Sequence, residues 1–183
     1  SHVPAGSRVQ FFSPDGRLIV TGSIDDTARI WDTANGSLRA ELEHLEDINA
    51  VAFSPDGERV ATAADDFRAR LWNVESGGLL QTMWHRHQVG AVEFSPDGAL
   101  LLSGGRDDAA RLWHVPTGAP VGRPMRHEGD VFVVAFSPDG SSVVSGGLDG
   151  IARIWAIGEM LRPTRTFRSP GEGTIRTFDV NPD

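Results

Sequence analysis

One pentapeptide recurs four times along the chain and constrains its fold more than any other feature. The sequence Phe-Ser-Pro-Asp-Gly occurs at intervals of 41, 41 and 42 residues, beginning at Phe12, Phe53, Phe94 and Phe136. A tryptophan follows each phenylalanine after 19 residues, at Trp31, Trp72, Trp113 and Trp155. Two features that recur in a fixed register indicate a repeat architecture, in which each copy forms one supersecondary unit.

Within one copy, short apolar segments alternate with turns. In the second copy the segment Val51-Ala52-Phe53 is followed by Ser-Pro-Asp-Gly, whose proline and glycine favour a tight turn. An apolar run, an Asp-rich turn, a strand ending at the tryptophan and a fourth strand such as Leu79–Met83 complete the copy. Four short strands in about 41 residues, with no helical periodicity, predict an all-β fold.

The repeat resembles that of the WD-repeat family. The segments that carry the resemblance are Val51–Gly57, Ala69-Arg70-Leu71-Trp72 and Ala28-Arg29-Ile30-Trp31-Asp32. The signature dipeptides are eroded, because Trp-Asp survives only in the first copy and the Gly of the Gly-His pair is replaced by Glu43, Trp84 and Arg126. The resemblance implies a β-propeller with one four-stranded blade per repeat.

We therefore expect an all-β WD-repeat β-propeller segment with four four-stranded antiparallel blades and one extra strand. The predicted blades are residues 3–43, 44–84, 85–126 and 127–170. Residues 171–183 are predicted to supply the first strand of a fifth blade, in which Val180-Asn181-Pro182-Asp183 takes the place of the pentapeptide.

Composition excludes several kinds of chemistry. The chain has no cysteine, and all 17 of its cationic residues are arginine, so cysteine ligands, thiolates and catalytic lysines are absent. A net charge of −8 argues against nucleic-acid binding, and no apolar run is long enough to span a membrane. The missing Lys and Tyr are typical of a GC-rich genome, and we expect a bacterial, cytoplasmic protein that uses no cofactor.

A second pattern combines histidine, hydroxyl, aspartate and tryptophan at constant offsets. The aspartate follows the histidine by 22 residues, and the hydroxyl precedes the tryptophan by 10. The full sets are His44, Thr62, Asp66 and Trp72; His85, Ser103, Asp107 and Trp113; and His127, Ser145, Asp149 and Trp155. The first copy has Thr21, Asp25 and Trp31, but Val3 stands at its histidine position, next to His2.

These residue types also suit a nucleophile–base–orienter triad. Catalysis needs one such set, however, whereas scaffolding needs one per blade, and WD-repeat proteins use these positions for a buried hydrogen-bond network. We therefore predict a structural role and no catalytic residue. His85 and His87 could face a metal from one strand, but His85 belongs to the network, so we predict no metal site.

The family resemblance also implies which loop residues form the narrower top face of the propeller, where partners bind. Carried onto this sequence, these positions are Asp47, Asn49, Asp65, Gln88, Arg106, Asp130, Phe132 and Leu148. Phe132 and Leu148 form either an exposed hot spot for a partner or an apolar contact with a neighbouring blade.

The favoured function is a non-catalytic scaffold for protein–protein interaction within a larger signalling or sensor protein. A second hypothesis is assembly, because four WD blades fall short of the usual ring and two copies could close an eight-bladed homodimer. A third hypothesis is an enzyme with a site in the central channel. It has little support, because Glu93 is the only ionisable residue on the predicted innermost strands.

Overall fold

The computed structural model describes residues 7–159, 163–169 and 173–176. Sixteen strands and one 3-10 helix occur in this part of the chain, and they follow one another in the order of the repeats. The strands are β1 Ser7–Phe12, β2 Leu18–Ser23, β3 Thr27–Asp32, β4 Leu38–Glu43, β5 Ile48–Phe53, β6 Arg59–Ala64, β7 Arg68–Asn73, β8 Leu79–Trp84, β9 Val89–Phe94, β10 Leu100–Gly105, β11 Ala109–His114, β12 Pro120–Arg126, β13 Val131–Phe136, β14 Ser142–Gly147, β15 Ile151–Ala156 and β16 Pro163–Arg168. The 3-10 helix is Ile157–Glu159.

The strands form four separate antiparallel sheets of four strands each, in the orders β1-β2-β3-β4, β5-β6-β7-β8, β9-β10-β11-β12 and β13-β14-β15-β16. Each sheet is a meander in which every strand pairs with the next one along the chain. The predicted fold class, an all-β segment of four four-stranded blades, is confirmed. We call the sheets blades 1 to 4.

The recurrent pentapeptide closes the first hairpin of each blade. In blade 3 the Ser95 hydroxyl donates to the Asp97 carboxylate at 2.6 Å and accepts the Leu100 N–H at 2.9 Å. The same carboxylate accepts the Ala99 N–H at 3.0 Å. Gly98 has a φ of +71°, which glycine adopts without steric cost. Serine, aspartate and glycine therefore recur because each satisfies one requirement of this turn.

Among the described residues the apolar core is divided into three clusters, and each lies between two consecutive blades. Val20 and Ile30 of blade 1 pack with Val51 and Trp72 of blade 2. The second cluster joins blades 2 and 3 and includes Phe94 and Trp113, and the third joins blades 3 and 4 and includes Phe136 and Trp155. Each sheet thus buries side chains toward its neighbours, as stacked repeats do.

Three of the predicted units include residues outside the described ones, and in the fourth blade these are residues 160–162 and 170. Residues 3–6 of the first blade also lie outside the described residues, and so does most of the predicted fifth-blade strand, residues 171–183. In the described part of that segment, the Ile175 N–H donates to the Gly147 carbonyl at 3.0 Å, so residues 173–176 lie against the end of β14.

Candidate functional site

The predicted histidine, hydroxyl, aspartate and tryptophan of blade 3 meet in one hydrogen-bonded group. The Trp113 indole N–H donates to the Ser103 hydroxyl at 2.7 Å, and His85 Nε2 hydrogen bonds to the same hydroxyl at 2.7 Å. On the other side of the imidazole, His85 Nδ1 lies 3.2 Å from Asp107 Oδ1. The structure therefore brings all four residues together in the order tryptophan, hydroxyl, imidazole, carboxylate.

The sheet register explains how residues distant in sequence converge. Ser103 on β10 is the cross-strand partner of Arg111 on β11, and Trp113 lies two residues further along β11. Side chains two residues apart on a strand point to the same face of the sheet, as do those of directly opposed residues. His85 enters from the loop before β9, and Asp107 from the turn between β10 and β11.

Blades 2 and 4 repeat this geometry. In blade 2, Trp72 donates to Thr62 at 2.9 Å, and His44 lies 2.6 Å from Thr62 and 3.3 Å from Asp66. The corresponding distances in blade 4 are 2.8, 2.7 and 3.1 Å, among Trp155, Ser145, His127 and Asp149.

Blade 1 has a reduced form of the group. The Trp31 indole donates to Thr21 at 3.0 Å, but the Asp25 carboxylate accepts hydrogen bonds from Thr27 at 2.6 Å and Arg29 at 2.8 Å. Both candidate histidine positions of this copy, residues 2 and 3, lie outside the described residues. Burial alone would raise the pKa of Asp25, but the hydrogen bonds from Thr27 and Arg29 outweigh it and lower the pKa to about 2.

Sequence reasoning missed a fifth member of the group, an arginine four residues after each aspartate. Arg111 Nη2 lies 2.7 Å from Asp107, Arg70 lies 2.6 Å from Asp66, and Arg153 lies 2.6 Å from Asp149. The arginine also contacts the histidine, with Arg111 Nη1 2.5 Å from His85 Nδ1. The signal was present in the sequence, because Arg stands two residues before every repeat tryptophan.

The arginine changes the electrostatics of the group. Burial would raise the pKa of Asp107, but hydrogen bonds with His85 and Arg111 outweigh it and hold the pKa well below its usual range. Burial lowers the pKa of His85, the hydrogen bond with Asp107 raises it, and the charge of Arg111 lowers it further, so that the net direction is downward. A neutral imidazole beside an Arg–Asp ion pair is therefore the stable state at neutral pH.

The hydroxyls of blades 2 to 4 are sealed from solvent. Thr62, Ser103 and Ser145 are each 0% exposed, and the three histidines are buried beside them. In its arrangement of atoms the group resembles a catalytic triad, but each hydroxyl is fully buried and already accepts the indole N–H of its tryptophan.

Six of the eight top-face residues assigned from the family resemblance lie in paired loops, and Asn49 and Phe132 lie near the starts of β5 and β13. One backbone hydrogen bond recurs in blades 2 to 4, from Asp65 N–H to Asp47 carbonyl at 2.9 Å, Arg106 N–H to Gln88 carbonyl at 2.8 Å, and Leu148 N–H to Asp130 carbonyl at 2.9 Å. Asn49 bridges two blades, because its amide donates to Asp65 at 2.6 Å and to the Val89 carbonyl at 3.1 Å.

The two apolar candidates at this face differ in exposure. Leu148 is 56% exposed, whereas Phe132 is half-buried, with the Arg176 guanidinium 5.9 Å from its ring centroid. A third apolar residue, which sequence reasoning did not single out, is the exposed Phe67. It stacks on His87 with the ring centroids 5.3 Å apart and has a φ of +69°, a conformation that is costly for a bulky side chain.

Other kinds of site have little support in the described part of the chain. No group of three or more potential metal-ligating side chains occurs among residues 7–159, 163–169 and 173–176. Glu93, on the innermost strand of blade 3, accepts the Phe136 N–H at 3.1 Å, and burial raises its pKa to about 7. No helix in the described part of the chain is long and apolar enough to cross a membrane.

Comparison with known protein families identifies the repeats. A family model described as WD domain, G-beta repeat matches four segments of the chain, at residues 5–32, 36–73, 77–114 and 118–156. A search of curated proteins found no significant match. Each matched segment ends at the residue after a repeat tryptophan.

Proposed function

Because the chain belongs to the WD40 repeat family, whose repeats support protein-interaction scaffolds, we propose that it is a non-catalytic scaffold that binds a protein partner through its top-face loops. The observation that carries the proposal is the complete burial of Thr62, Ser103 and Ser145. In blades 2 to 4 the histidine, hydroxyl and aspartate sets hold strands together inside the blades, and the exposed loops are the surface on which binding residues are usually carried.

The loop before β13 and the turn between β14 and β15 are the best candidate for the centre of this surface. Leu148 is exposed although it is a large aliphatic residue, and Phe132 lies on β13, at the same end of blade 4. Neither residue belongs to the buried cluster between blades 3 and 4. An exposed apolar side chain in a tight turn between two paired strands favours a protein partner, because it loses little conformational entropy on binding.

Affinity capture from the source cells, with quantitative mass spectrometry, tests the proposal when it compares two matched variants. Leu148→Glu places a charge on the top face, and Leu38→Glu makes the same change at an exposed position on the outer strand β4. We expect one or more proteins to be lost with Leu148→Glu and retained with Leu38→Glu. Equal capture by both variants would refute the assignment of this face.

The wider context is part of the same proposal. We place the chain as the interaction module of a larger signalling or sensor protein, in which other domains supply any catalysis. Purified chain is expected to have no hydrolase activity on ester and phosphoester substrates, and activity that Glu93→Gln abolishes would favour the central-channel enzyme instead.

Homodimerisation into an eight-bladed ring is a second candidate function, and incompletely buried apolar residues on blades 1 and 4 support it. On blade 1, Phe12 is exposed and Trp31 is half-buried, and on blade 4 Val144 and Ile154 are half-buried. A neighbouring blade at each end would bury these residues, whether it came from a second copy or from a longer chain. Light scattering distinguishes the two sources: a mass twice that of one chain, halved by Phe12→Glu, supports the ring, and a wild-type monomer excludes it.

A further inference from the structure

Three departures from the repeat pattern meet at one place on blade 3. Trp84 and Arg126 stand where the family has the glycine of its Gly-His pair, and the third copy is 42 residues long where the first two are 41. All three features border one cavity of about 500 Å³, beside the outermost strand β12. Glu43, which stands at the same position before His44, does not line this cavity.

The fourth strands of blades 1, 2 and 4 each have a one-residue bulge next to the tryptophan, and in β12 the extra residue makes this bulge larger and shifts it along the strand. Ala110 pairs with Met125 and Leu112 pairs with Val121, so one residue of β11 faces three residues of β12. In blade 2 the equivalent pairs, Ala69 with Met83 and Leu71 with Gln81, enclose one residue on each strand, and the single unpaired residue follows between Gln81 and Leu79. Gly122 has a φ of +70°, which accommodates the bulge, and Arg123 and Pro124 stand outside the ladder.

The cavity is strongly basic although the chain carries a net charge of −8. Arg86, Arg111, Arg123 and Arg126 all line it. Arg111 is paired with Asp107, and Arg126 donates to the Asp107 carbonyl at 3.3 Å. Within the described residues, neither Arg86 nor Arg123 has an ion-pair partner for its guanidinium. At the positions of Arg86 and Arg126, blade 2 has Leu45 and Trp84.

An apolar surface accompanies these charges. Trp84 is 60% exposed, and the Arg68 guanidinium covers one region of its ring at 4.2 Å from the centroid. Pro120 and Val121 line the cavity as well. The two prolines of β12 remove backbone donors from this edge strand, so an incoming strand would pair poorly with it. Recognition here must therefore rely on side chains.

We propose that this cavity binds an acidic peptide segment of a partner protein. Carboxylates of the peptide pair with Arg86 and Arg123, which present planar donor groups suited to them, and an apolar side chain of the peptide packs on Trp84. A peptide fits better than a free anion because the lining combines spare cations with exposed aromatic and aliphatic surface. This site would give the proposed scaffold a second binding surface. It rests on the proposed function in one respect, which is that its ligand is a segment of a protein.

Fluorescence anisotropy with a defined probe tests the assignment on the whole chain. The probe is a fluorescein-labelled peptide of sequence Glu-Glu-Leu-Leu-Glu-Glu, and its neutral match replaces each Glu by Gln. We expect the acidic peptide to bind, and the double variant Arg86→Glu/Arg123→Glu to weaken binding at least about tenfold. Trp84→Ala should weaken it by a smaller factor.

The matched control makes the same change of charge elsewhere. Arg17→Glu/Arg39→Glu alters two exposed arginines of blade 1 and should leave the dissociation constant within about twofold. Equal weakening by both double variants would show non-specific attraction and overturn the site. Near-UV circular dichroism verifies the fold, and Arg123→Gln, on the exposed bulge, replaces any double variant that fails to fold.

Two further results would also overturn the proposal. They are equal binding of the glutamine peptide, and displacement of the acidic peptide by inorganic phosphate at equal concentration, which would assign the cavity to a free anion. Leu148→Glu separates this inference from the proposed function, because the variant should lose the top-face partner and keep the acidic peptide. Loss of both would mean that the two surfaces are one.

Discussion

Blades 1 and 3 have the same four-stranded meander but differ in what surrounds it. Asp107 of blade 3 has a side chain that is 5% exposed and faces His85 and Arg111, whereas the equivalent Asp25 is 40% exposed. The strand ladders of the two blades are alike in order and direction. Each repeat therefore specifies its own sheet, whereas the burial of its polar group depends on what lies next to it.

The phenylalanines that begin the pentapeptides show the same difference for apolar residues. Phe12 is 66% exposed and Phe94 is 6% exposed, although both end the first strand of their blades. Phe94 lies in the cluster that joins blades 2 and 3. Each inter-blade cluster therefore belongs to two repeats, and the described part of blade 1 contributes to one cluster only.

The largest expected effect separates these two phenylalanines. Phe94→Ala should lower the free energy of unfolding by about 3–5 kcal/mol, because it leaves a cavity in the core between blades 2 and 3. Phe12→Ala should change it by no more than about 0.5 kcal/mol. Urea denaturation followed by tryptophan fluorescence measures both. Equal losses would mean that Phe12 is covered in solution, and would support the ring of two copies.

The aspartates give the next largest difference. Asp107→Ala leaves Arg111 and His85 without their carboxylate and should cost about 3 kcal/mol, at the low end for a broken buried pair because Arg111 remains near solvent. Asp25→Ala removes a more exposed ion pair and should cost at most about 1 kcal/mol. Thermal unfolding checks the order, and unchanged melting of Asp107→Ala would contradict the structural role of the group.

The sequence predicted the repeats and the fold class because turns and alternating strands depend on local residues, such as Ser95, Asp97 and Gly98. In blades 2 to 4 the residues with constant offsets lie within hydrogen-bond distance of one another, because each copy repeats the same strands, loop and turn. The sequence did not reveal the role of Arg111, because an arginine on a strand is usually a solvated side chain. The cavity beside β12 was missed because its shape depends on where one extra residue is accommodated.

Mild acid should weaken blades 2 to 4 through their histidines. Burial lowers the pKa values of His44, His85 and His127, so below about pH 6.5 the unfolded chain binds more protons than the folded chain. Stability is therefore present above that pH and is lost as the pH falls toward 5. The urea midpoint measured between pH 7.5 and pH 5.5 should decrease, and His85→Gln should reduce the slope of that decrease.

Glu93 opposes this trend, since its pKa is raised to about 7. Its contribution to stability is complete below the unfolded pKa and is lost as the pH rises through about 7. Glu93→Gln should therefore be more stable than the wild type at pH 8 and show a steeper loss toward acid. The matched control for His85→Gln is His114→Gln, which removes an exposed histidine of blade 3 that lies outside the hydrogen-bonded group and should leave the slope unchanged.

The smallest expected effect concerns the turn between the second and third strands of each blade. One residue of this turn has a positive φ in every blade, and the four residues are Asp26, Phe67, Asp108 and Gly150. Phe67→Gly should raise the free energy of unfolding by about 0.5–1 kcal/mol, because glycine adopts this conformation without steric cost. Asp26→Gly in blade 1 should gain less, since aspartate tolerates a positive φ better than phenylalanine does. If Phe67→Gly instead loses stability, the stack of Phe67 on His87 outweighs the backbone strain, and the exposed aromatic ring of blade 2 would itself stabilise the loop before β9.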